Sequence, residues 1–524
     1  MELNQTNRFN EEEKGKSQVL ANAKIIKKFL ILVPNSRWFG KRYWLWFTPA
    51  VAILFSILKR YGLEVEVLEA NIDNLSQEQV KERIKNYAPD VVGITNMSLE
   101  YWKQAHYSAK IAKEIDKDII TIMGGVHPTV MPHKVMEDPN IDYIILSEGE
   151  ERIVKFLDIL QTDGDFSKME GVGYRKNGEV IINRPTSYIE NLDQLPFPDY
   201  SIFDWKKVME GEQKSVVGLG TRKNPVGIVL TSRGCRYRCS FCAGWLVSGR
   251  GVRLRSAENV LEEIDLLVEK YGIKELIFTD DEMYANRERC VKIFEGLKKR
   301  NYDLIWKNIN LAAWKMDYEL LKLMKESGCY QITISPESGN ERVLTKIIHK
   351  VGTKEDSKNV VKWCKELNLE VEADFVIGFP GETWEEIRDT TNFAEELDAD
   401  AVKFAIATPF PGTELFEKAV EMGCLPKDFN FYRDDALGFA HGVINTKEFT
   451  VKELEMLRCF EWDRINFKTQ AKKERYAKMN LMTLEELEDF RKQTRKNVGL
   501  YFLDQVADER KEQDKTFIQN KFKK

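Results

Sequence analysis

Cysteine is absent from the first 234 residues of this chain of 524 residues, and all eight cysteines lie at or beyond Cys235. Eight thiols placed so unevenly are too few for a disulfide scaffold, so the sequence predicts a reducing, cytoplasmic location. The composition otherwise suits a protein with sizeable cores, because 43% of the residues are hydrophobic and 31% are charged.

Basic residues are not in excess either. Lysine and arginine together number 79, aspartate and glutamate number 84, and the formal net charge is −5. A chain held to nucleic acid mainly by neutralising phosphates needs a basic surface. We therefore expect no nucleic-acid partner.

No hydrophobic run is long enough to cross a membrane. The most apolar stretch, residues 44–58, is interrupted by Thr48, Pro49 and Ser56, and it is shorter than the roughly 18 residues that a spanning helix needs. Thr48 and Pro49 instead predict the start of a buried amphipathic helix. The first two dozen residues are polar, unlike a signal peptide. We expect no transmembrane segment.

The first half of the chain alternates short apolar runs with helical patterns. The runs predict strands at residues 29–33, 63–68, 91–95, 119–123 and 143–146. Continuous apolar strands joined by helices are typical of a parallel sheet covered on both faces, here a flavodoxin-like (Rossmann-type) α/β fold. Ligands of such sheets lie beyond the carboxyl ends of the strands. The glycines at this edge, Gly124, Gly125 and Gly149, could also be only turn residues.

A second alternating series begins at Val226. It predicts six strands, at residues 226–231, 276–279, 304–310, 331–335, 371–377 and 401–407. Six strand–helix units without a seventh and eighth indicate a partial (β/α)6 barrel, whose active site would lie at the carboxyl ends of the strands. The predicted organisation is a polar leader (1–24), the Rossmann-like domain (25–165), a linker with a small hairpin (166–221), the partial barrel (222–426) and a C-terminal helical region (427–524).

The strongest local signal directly follows the first barrel strand. Cys235, Cys239 and Cys242 have the spacing C-x3-C-x2-C on one loop. Three thiolates leave a fourth metal position open, which favours an iron–sulfur cluster over a structural zinc site. A zinc site completed elsewhere, or three ordinary cysteines, are the alternatives. The other five cysteines are isolated in the sequence and are expected to be buried packing residues.

With this motif, residues 225–411 resemble the radical SAM superfamily. The resemblance implies that Cys235, Cys239 and Cys242 hold a [4Fe–4S] cluster whose open iron binds S-adenosylmethionine (SAM). Reductive cleavage of SAM would then give a 5′-deoxyadenosyl radical. Acidic residues replace the family's usual Gly-Gly-Glu after the second strand. The resemblance implies SAM contacts from the carboxyl ends of successive strands, at Phe241, Asp280, Asp281, Ser335, Glu337 and Gly378.

The first half resembles the cobalamin-binding domain that precedes the radical SAM domain in one large subgroup. The matching segments are residues 89–95, 124–127, 142–150 and the linker stretch 192–198. The resemblance implies a cobalamin site at the carboxyl edge of the first sheet, formed by Thr95, Asn96, Ser98, Gly124, Gly125, His127, Glu148 and Gly149.

None of the five histidines has the aspartate two residues earlier that accompanies a cobalt-ligating histidine in other cobalamin proteins. We therefore expect no histidine on the lower face of the cobalt. His127 is expected to be a turn residue or a contact of the nucleotide tail.

The resemblance implies a cobalamin-dependent radical SAM enzyme, most often a methyltransferase that methylates an unactivated carbon atom. An oxidative cyclase or a rearrangement enzyme is the alternative, and a non-catalytic cobalamin sensor or carrier is the alternative from another class. A tRNA methylthiotransferase is disfavoured, because that family has three further cysteines before the motif. The expected partners are a small-molecule, lipid or peptide substrate and an external electron donor such as flavodoxin or ferredoxin. The aromatic residues between Trp38 and Trp46 could line the corrin or substrate cavity, or equally form core or a dimer surface.

Overall fold

The computed structural model describes residues 25–41, 48–162, 164–204, 220–432 and 440–500. The strands are β1 (Lys28–Val33), β2 (Glu64–Glu69), β3 (Val91–Asn96), β4 (Ile120–Gly125), β5 (Tyr143–Ile145), β6 (Val172–Lys176), β7 (Glu179–Asn183), β8 (Val226–Val229), β9 (Ser232–Arg233), β10 (Arg253–Leu254), β11 (Glu275–Phe278), β12 (Ile305–Leu311), β13 (Cys329–Glu337), β14 (Glu370–Ile377) and β15 (Ala401–Ile406).

The helices are α1 (Pro49–Tyr61), α2 (Gln77–Tyr87), α3 (Trp102–Ile115), α4 (Val126–Val130), α5 (Pro132–Met136), α6 (Glu150–Gln161), α7 (Gly244–Ser248), α8 (Ala257–Tyr271), α9 (Arg287–Arg300), α10 (Tyr318–Glu326), α11 (Lys354–Leu367), α12 (Trp384–Leu397), α13 (Glu414–Glu421), α14 (Val451–Asn466), α15 (Gln470–Met479) and α16 (Leu484–Asn497). A π-helical segment covers Val343–Ile348.

The first sheet has seven strands in the order β2-β1-β3-β4-β5-β6-β7. Strands β1 to β5 are parallel, as their apolar sequences predict. The hairpin expected inside the linker extends this sheet, because β6 pairs antiparallel with β5 and β7 with β6. It joins the sheet because Val172 and Tyr174 are apolar, buried residues that enter the core beside Phe156 and Phe166.

Helix α1 begins at Pro49, where the sequence predicted a start. The side chain of Thr48 does not cap it, however, and its hydroxyl donates instead to Sδ of Met97 at 2.9 Å. Helices α1 and α6 pack against each other on one face of the sheet. Their buried residues, Val51 and Ile153 among them, share a core with Phe29 and Ile31 of β1.

The second sheet contains six parallel strands in the order β15-β14-β13-β12-β11-β8, which confirms the partial barrel. Helices lie between the successive strands, and two of them begin with a capping box, in which Thr353 and Thr383 cap α11 and α12. One boundary differs from expectation. Strand β13 continues to Glu337, whereas the sequence predicted that it ends at Ser335.

The C-terminal helices begin later than the helical pattern from about residue 427 indicated. Residues 440–450 contain no helix, and α14 begins at Val451 after a capping box formed by Thr450 and Glu453. Helix α14 covers the edge strand β15. The Asn466 side chain donates to the Val402 carbonyl and accepts from the Val402 amide, both at 2.8 Å, so the amide group satisfies the open edge of the sheet.

In the part of the chain that the structure describes, no helix is long and apolar enough to span a membrane. Three predictions fall outside that part: the polar leader, the end of the C-terminal helical region beyond residue 500 and the aromatic residues Tyr43, Trp44 and Trp46.

Candidate functional site

The three motif cysteines lie on a loop between the short strands β9 and β10. Cys235 and Cys239 are half-buried and Cys242 is exposed. Neighbouring segments hold the loop, since the amide of Ser240 donates to the Ile348 carbonyl at 2.9 Å and its carbonyl accepts from the amide of Leu415 at 3.0 Å. The loop is therefore anchored by backbone contacts that do not use the thiols.

The donor set is three thiols on one loop, which is the ligand type of an iron–sulfur cluster. Among the described residues, no group of three His, Cys, Asp or Glu side chains lies close enough together to hold a single metal ion. Burial raises the pKa of Cys235 and of Cys239 to about 11. These thiols must therefore lose protons when they bind iron.

Acidic and aromatic side chains surround the loop. The buried carboxylate of Glu282 forms an ion pair with Arg236 at 2.9 Å and accepts from the amide of Arg236 at 3.1 Å. The hydroxyl of Tyr237 accepts from the indole nitrogen of Trp314 at 2.9 Å. These contacts fix the first half of the loop over the carboxyl ends of β11 and β12.

The residues predicted to contact SAM fall along the same strand ends. The ring of Phe241 packs 5.9 Å from the ring of Phe379, measured between centroids. Asp281 is exposed at the end of β11. Asp280 is buried, and its carboxylate accepts from the amide and hydroxyl of Thr231 and the hydroxyl of Ser232, at 2.9, 2.8 and 2.6 Å.

Two buried oxygen atoms at the end of β11, Oγ1 of Thr279 and Oδ2 of Asp280, lack a hydrogen-bond partner within the described residues. An unpartnered buried polar atom is costly, so such atoms at a strand edge fit a polar ligand. The structure thus fits SAM at this edge, with Asp280 also tying β11 to the base of the cysteine loop.

Glu337 ends β13 with a left-handed backbone (φ 66°) and forms a buried ion pair with Lys350 at 2.9 Å. The positive charge of Lys350 acts against the burial that raises the pKa of Cys239. Sequence analysis missed Lys350, because it lies 13 residues after Glu337 in a segment without a recognisable motif. Ser335 lies two residues earlier on the same strand, half-buried.

Gly378 follows β14 with φ 89°, a conformation that favours glycine. Its amide and that of Phe379 both donate to Oε2 of Glu382, at 2.7 and 3.0 Å. Burial raises the pKa of Glu382 to about 8. The sequence contained a signal for this contact, since a glutamate four residues after a turn glycine can close the turn.

A cavity of about 270 Å³ lies at the carboxyl edge of the first sheet and reaches the barrel. Its walls are mostly apolar and come from β1 and helices α1 and α6, for example Ile31, Leu54 and Ile153. Ser232 and Asp281 close it from the barrel side. Five of the residues predicted to bind cobalamin line this cavity: Thr95, Gly124, Gly125, Glu148 and Gly149.

A second cavity of about 50 Å³ lies beside it and is lined by Thr95, Asn96 and Ser98. Between the two, Gly125 has φ 104°, and a Cβ atom on it would lie 2.3 Å from the carbonyl oxygen of Asn96. Only glycine fits there. The two cavities share Thr95 in their walls and lie at the edge where the sequence predicts cobalamin.

His127 lies beneath the edge, fully buried. Its Nδ1 is 3.3 Å from Nδ2 of Asn96 and its Nε2 is 2.8 Å from the hydroxyl of Tyr432. Burial lowers the pKa of His127 to about 3, so the ring is neutral. Both ring nitrogens therefore have partners within the protein, and the role of His127 toward cobalamin stays a prediction.

Sequence analysis also missed a buried group of two arginines and two glutamates between the sheets, here called the Arg–Glu cluster: Glu148, Glu150, Arg233 and Arg253. The carboxylate of Glu148, predicted to serve cobalamin, is occupied by both arginines. Partners 85 and 105 residues apart in sequence give no local signal.

Two family models match the chain. The model of the B12 binding domain matches residues 40–157, and the model of the Radical SAM superfamily matches residues 229–394. The first match covers most of the large cavity's lining, and the second begins at the end of β8 and includes all three motif cysteines.

Several known proteins are similar over most of the chain. An uncharacterized methyltransferase of Pyrococcus horikoshii is 33% identical over 76% of this chain and 84% of its own. An anaerobic magnesium-protoporphyrin IX monomethyl ester cyclase of Rubrivivax gelatinosus is 30% identical over 74% of this chain and 68% of its own. The structure of the radical SAM methyltransferase TsrM from Kitasatospora setae, with cobalamin and a [4Fe–4S] cluster bound, superposes with a TM-score of 0.61 at 20% identity, covering 76% of each chain.

Proposed function

Because the chain belongs to the cobalamin-binding enzymes of the radical SAM superfamily, whose cofactors are a [4Fe–4S] cluster, SAM and cobalamin, we propose that it methylates an unactivated carbon atom. The observation that carries this proposal is the large cavity. It extends from Gly124 and Gly149 of the first sheet to Ser232 and Asp281 beside the cysteine loop. A corrinoid on one side and SAM on the other would face the same space.

The chain's own residues hold and orient the reactants. Cys235, Cys239 and Cys242 would hold the cluster, and the ion pair of Glu337 with Lys350 beside them would meet the charged amino-acid end of SAM. When bound, SAM and the cluster supply the radical chemistry and the corrinoid supplies the methyl group.

The remaining predicted contacts complete the two sites. Phe241 and Gly378 would contact the adenine of SAM, with Asp280, Asp281 and Ser335 on neighbouring strand ends. On the other side, the glycines of the first sheet would let the corrinoid approach the backbone, with Thr95, Asn96 and Ser98 beside it. The apolar walls would exclude water, which protects a carbon-centred radical from side reactions.

The reaction needs electrons and a substrate from outside. The five cysteines beyond the motif are isolated in the sequence, and all five are more than nine-tenths buried as packing residues. We therefore propose an external one-electron donor such as flavodoxin or ferredoxin. We propose a small-molecule substrate for the apolar cavity, with a lipid or a peptide as further classes. The reduced thiols that the cluster needs suit the cytoplasm.

The test is a product balance on the reconstituted enzyme. The protein is purified without oxygen, loaded with cluster and cobalamin, and incubated with SAM, a reductant and candidate substrates. Matched amounts of 5′-deoxyadenosine and S-adenosylhomocysteine, appearing with a methylated product, support methyl transfer. The same assay is run on Cys239→Ala, which lacks one predicted cluster ligand. Cys290→Ala is its matched control, because Cys290 is a buried cysteine of the same barrel outside the motif.

A second candidate function is oxidative ring formation, which the similarity to the cyclase of Rubrivivax gelatinosus favours. This reaction would give 5′-deoxyadenosine without S-adenosylhomocysteine. The same product balance therefore separates the two functions.

A further inference from the structure

The Arg–Glu cluster joins the two sheets where their ligand edges meet. Nη1 of Arg253 donates to both carboxylate oxygens of Glu148, at 2.7 and 2.8 Å, and Nη1 of Arg233 lies 3.3 Å from Oε1 of Glu148. Arg233 also pairs with Glu150. The two carboxylates are 5% exposed and the arginines 16% and 12% exposed. Two positive and two negative charges therefore neutralise each other inside the protein.

On the barrel side, the two arginines occupy the base of the cysteine loop. Arg233 and Arg253 lie opposite each other in the antiparallel pair of β9 and β10. The backbones after β9 and before β10 lie close together, because a Cβ added to Gly234 would lie 2.2 Å from the carbonyl oxygen of Gly251. Since Gly234 directly precedes Cys235, a displacement of Arg233 would move the first cluster ligand.

On the other side, the two glutamates flank Gly149 where β5 leads into α6. Both line the large cavity, as Arg233 does. Oε2 of Glu148 also accepts from the amide of Ile189 at 2.9 Å, and Nη1 of Arg253 donates to the Ile189 carbonyl at 2.8 Å. The linker is thus held by the same two side chains that join the sheets.

We propose that Glu148 is a positioning residue, which through Arg233 and Arg253 fixes the base of the cysteine loop against the first sheet and so sets the separation between cluster and cobalt. This inference rests on the cofactor arrangement of the proposed function. It assigns the carboxylate of Glu148 to the cysteine loop rather than to the corrinoid.

The physical basis is the geometry of a buried, charge-neutral group. Both terminal nitrogens of Arg253 are bound, Nη1 to Glu148 and Nη2 to the Ser248 carbonyl at 2.7 Å, so its planar guanidinium is fixed in orientation as well as distance. Removing one charge leaves an uncompensated partner in a site shielded from water, which forces the local structure to rearrange. A substrate that reacts with groups on two bound cofactors must reach both of them, so the rate depends steeply on their separation, and a displacement of about 1 Å can lower it on the order of 100-fold.

The test measures the distance directly. Wild-type and Glu148→Gln holoenzymes, each with cluster and cobalamin loaded, are reduced so that the cluster and Co(II) are both paramagnetic. Pulsed electron paramagnetic resonance then gives the distribution of cluster–cobalt distances without any substrate. We expect a narrow distribution in the wild type and a broader, displaced one in the variant, at unchanged iron and cobalt content. Where a substrate is known, product per SAM cleaved should fall on the order of 10- to 100-fold.

Two further variants keep the test decisive. Arg287→Gln breaks an exposed arginine–aspartate pair with Asp317 on the outside of the barrel, and it should leave the distance distribution unchanged. Arg253→Lys keeps the positive charge but loses the planar guanidinium group. Its distribution of cluster–cobalt distances should therefore be broader than that of the wild type and narrower than that of Glu148→Gln. If Glu148→Gln does not fold, Arg253→Lys alone tests the proposal. The proposal would be overturned if Glu148→Gln and Arg253→Lys both gave the wild-type distribution of cluster–cobalt distances. Because this distance is read without turnover, the outcome does not depend on whether the enzyme transfers a methyl group.

Discussion

Single polar residues at the two predicted ligand edges have hydrogen-bond partners within the protein itself. Asp280 accepts three hydrogen bonds from the segment before the cysteine loop. Glu148 is bound by arginines and His127 by Asn96 and Tyr432. The sequence identified all three positions as ligand-edge residues, but not their partners, which are 31 to 305 residues away. Their roles toward the cofactors stay predictions.

The cysteine motif gives the first prediction at this scale. Cys239→Ala removes one of three thiolates, so the protein should lose its cluster and the cleavage of SAM, while the cobalamin content stays unchanged. Cys290→Ala should keep the cluster. Iron content and visible absorption of both proteins measure this. Full cluster absorption and SAM cleavage in Cys239→Ala would refute the assignment of the ligands.

Gly125 gives the second prediction. Alanine there would meet the carbonyl oxygen of Asn96 at 2.3 Å with a positive φ, so we expect Gly125→Ala to lose about 1–3 kcal/mol of stability and most of its cobalamin affinity. The control is Gly178→Ala, which shares a positive φ but meets nothing within 4 Å. Urea unfolding and cobalamin titration compare them. Equal losses in the two proteins would mean that backbone strain, not the close approach, is responsible.

Glu382 gives a prediction on pH dependence. Burial raises its pKa from 4.5 to about 8. Between these values the folded state keeps a proton that the unfolded chain has lost, so the free energy of unfolding falls as the pH rises, by up to about 1.4 kcal/mol per pH unit. Glu382→Gln keeps a neutral group in the same place and should remove this contribution. Urea unfolding across the range compares the proteins, and a pH-independent difference would contradict the raised pKa.

At the scale of elements, the sequence predicted which segments form strands and helices better than it predicted where they pack. Helix α1 occupies the predicted residues, and the strands of both sheets fall within a few residues of expectation. The β6–β7 hairpin was assigned to a linker, because nothing local in residues 172–183 shows that they pair with β5. Likewise β13 extends beyond its predicted end, because Glu337 pairs with Phe375 of β14 after a break in the register.

The segment after α13 gives a prediction at this scale. Phe431 packs with Leu99 and Val130 of the first half, and the hydroxyl of Tyr432 is 2.8 Å from Nε2 of His127. Tyr432→Phe leaves a buried ring nitrogen without its partner, and should cost about 1–3 kcal/mol. Tyr174→Phe is the control, since the buried Tyr174 hydroxyl has no hydrogen-bond partner among the described residues. If both variants changed the free energy of unfolding by the same amount relative to the wild type, the contact to His127 would contribute nothing.

At the scale of the whole molecule, the two sheets place their carboxyl edges on one cavity. Each edge could be predicted from its own motifs, because strand ends of α/β folds collect ligands. The facing of the two edges could not, because it depends on contacts such as that of Arg253 with Glu148, which no local pattern encodes. This facing would let a substrate in the cavity reach both bound cofactors.

The central claim is that one chain holds an iron–sulfur cluster and cobalamin at these two edges and uses them together. The most direct measurement determines iron, sulfide and cobalt in the same oxygen-free, reconstituted preparation and follows 5′-deoxyadenosine after SAM and a reductant are added. We expect one [4Fe–4S] cluster and one cobalamin per chain, with 5′-deoxyadenosine formed by the wild type and not by Cys239→Ala. A preparation that binds no cobalamin, or that cleaves SAM without the cluster, would contradict it.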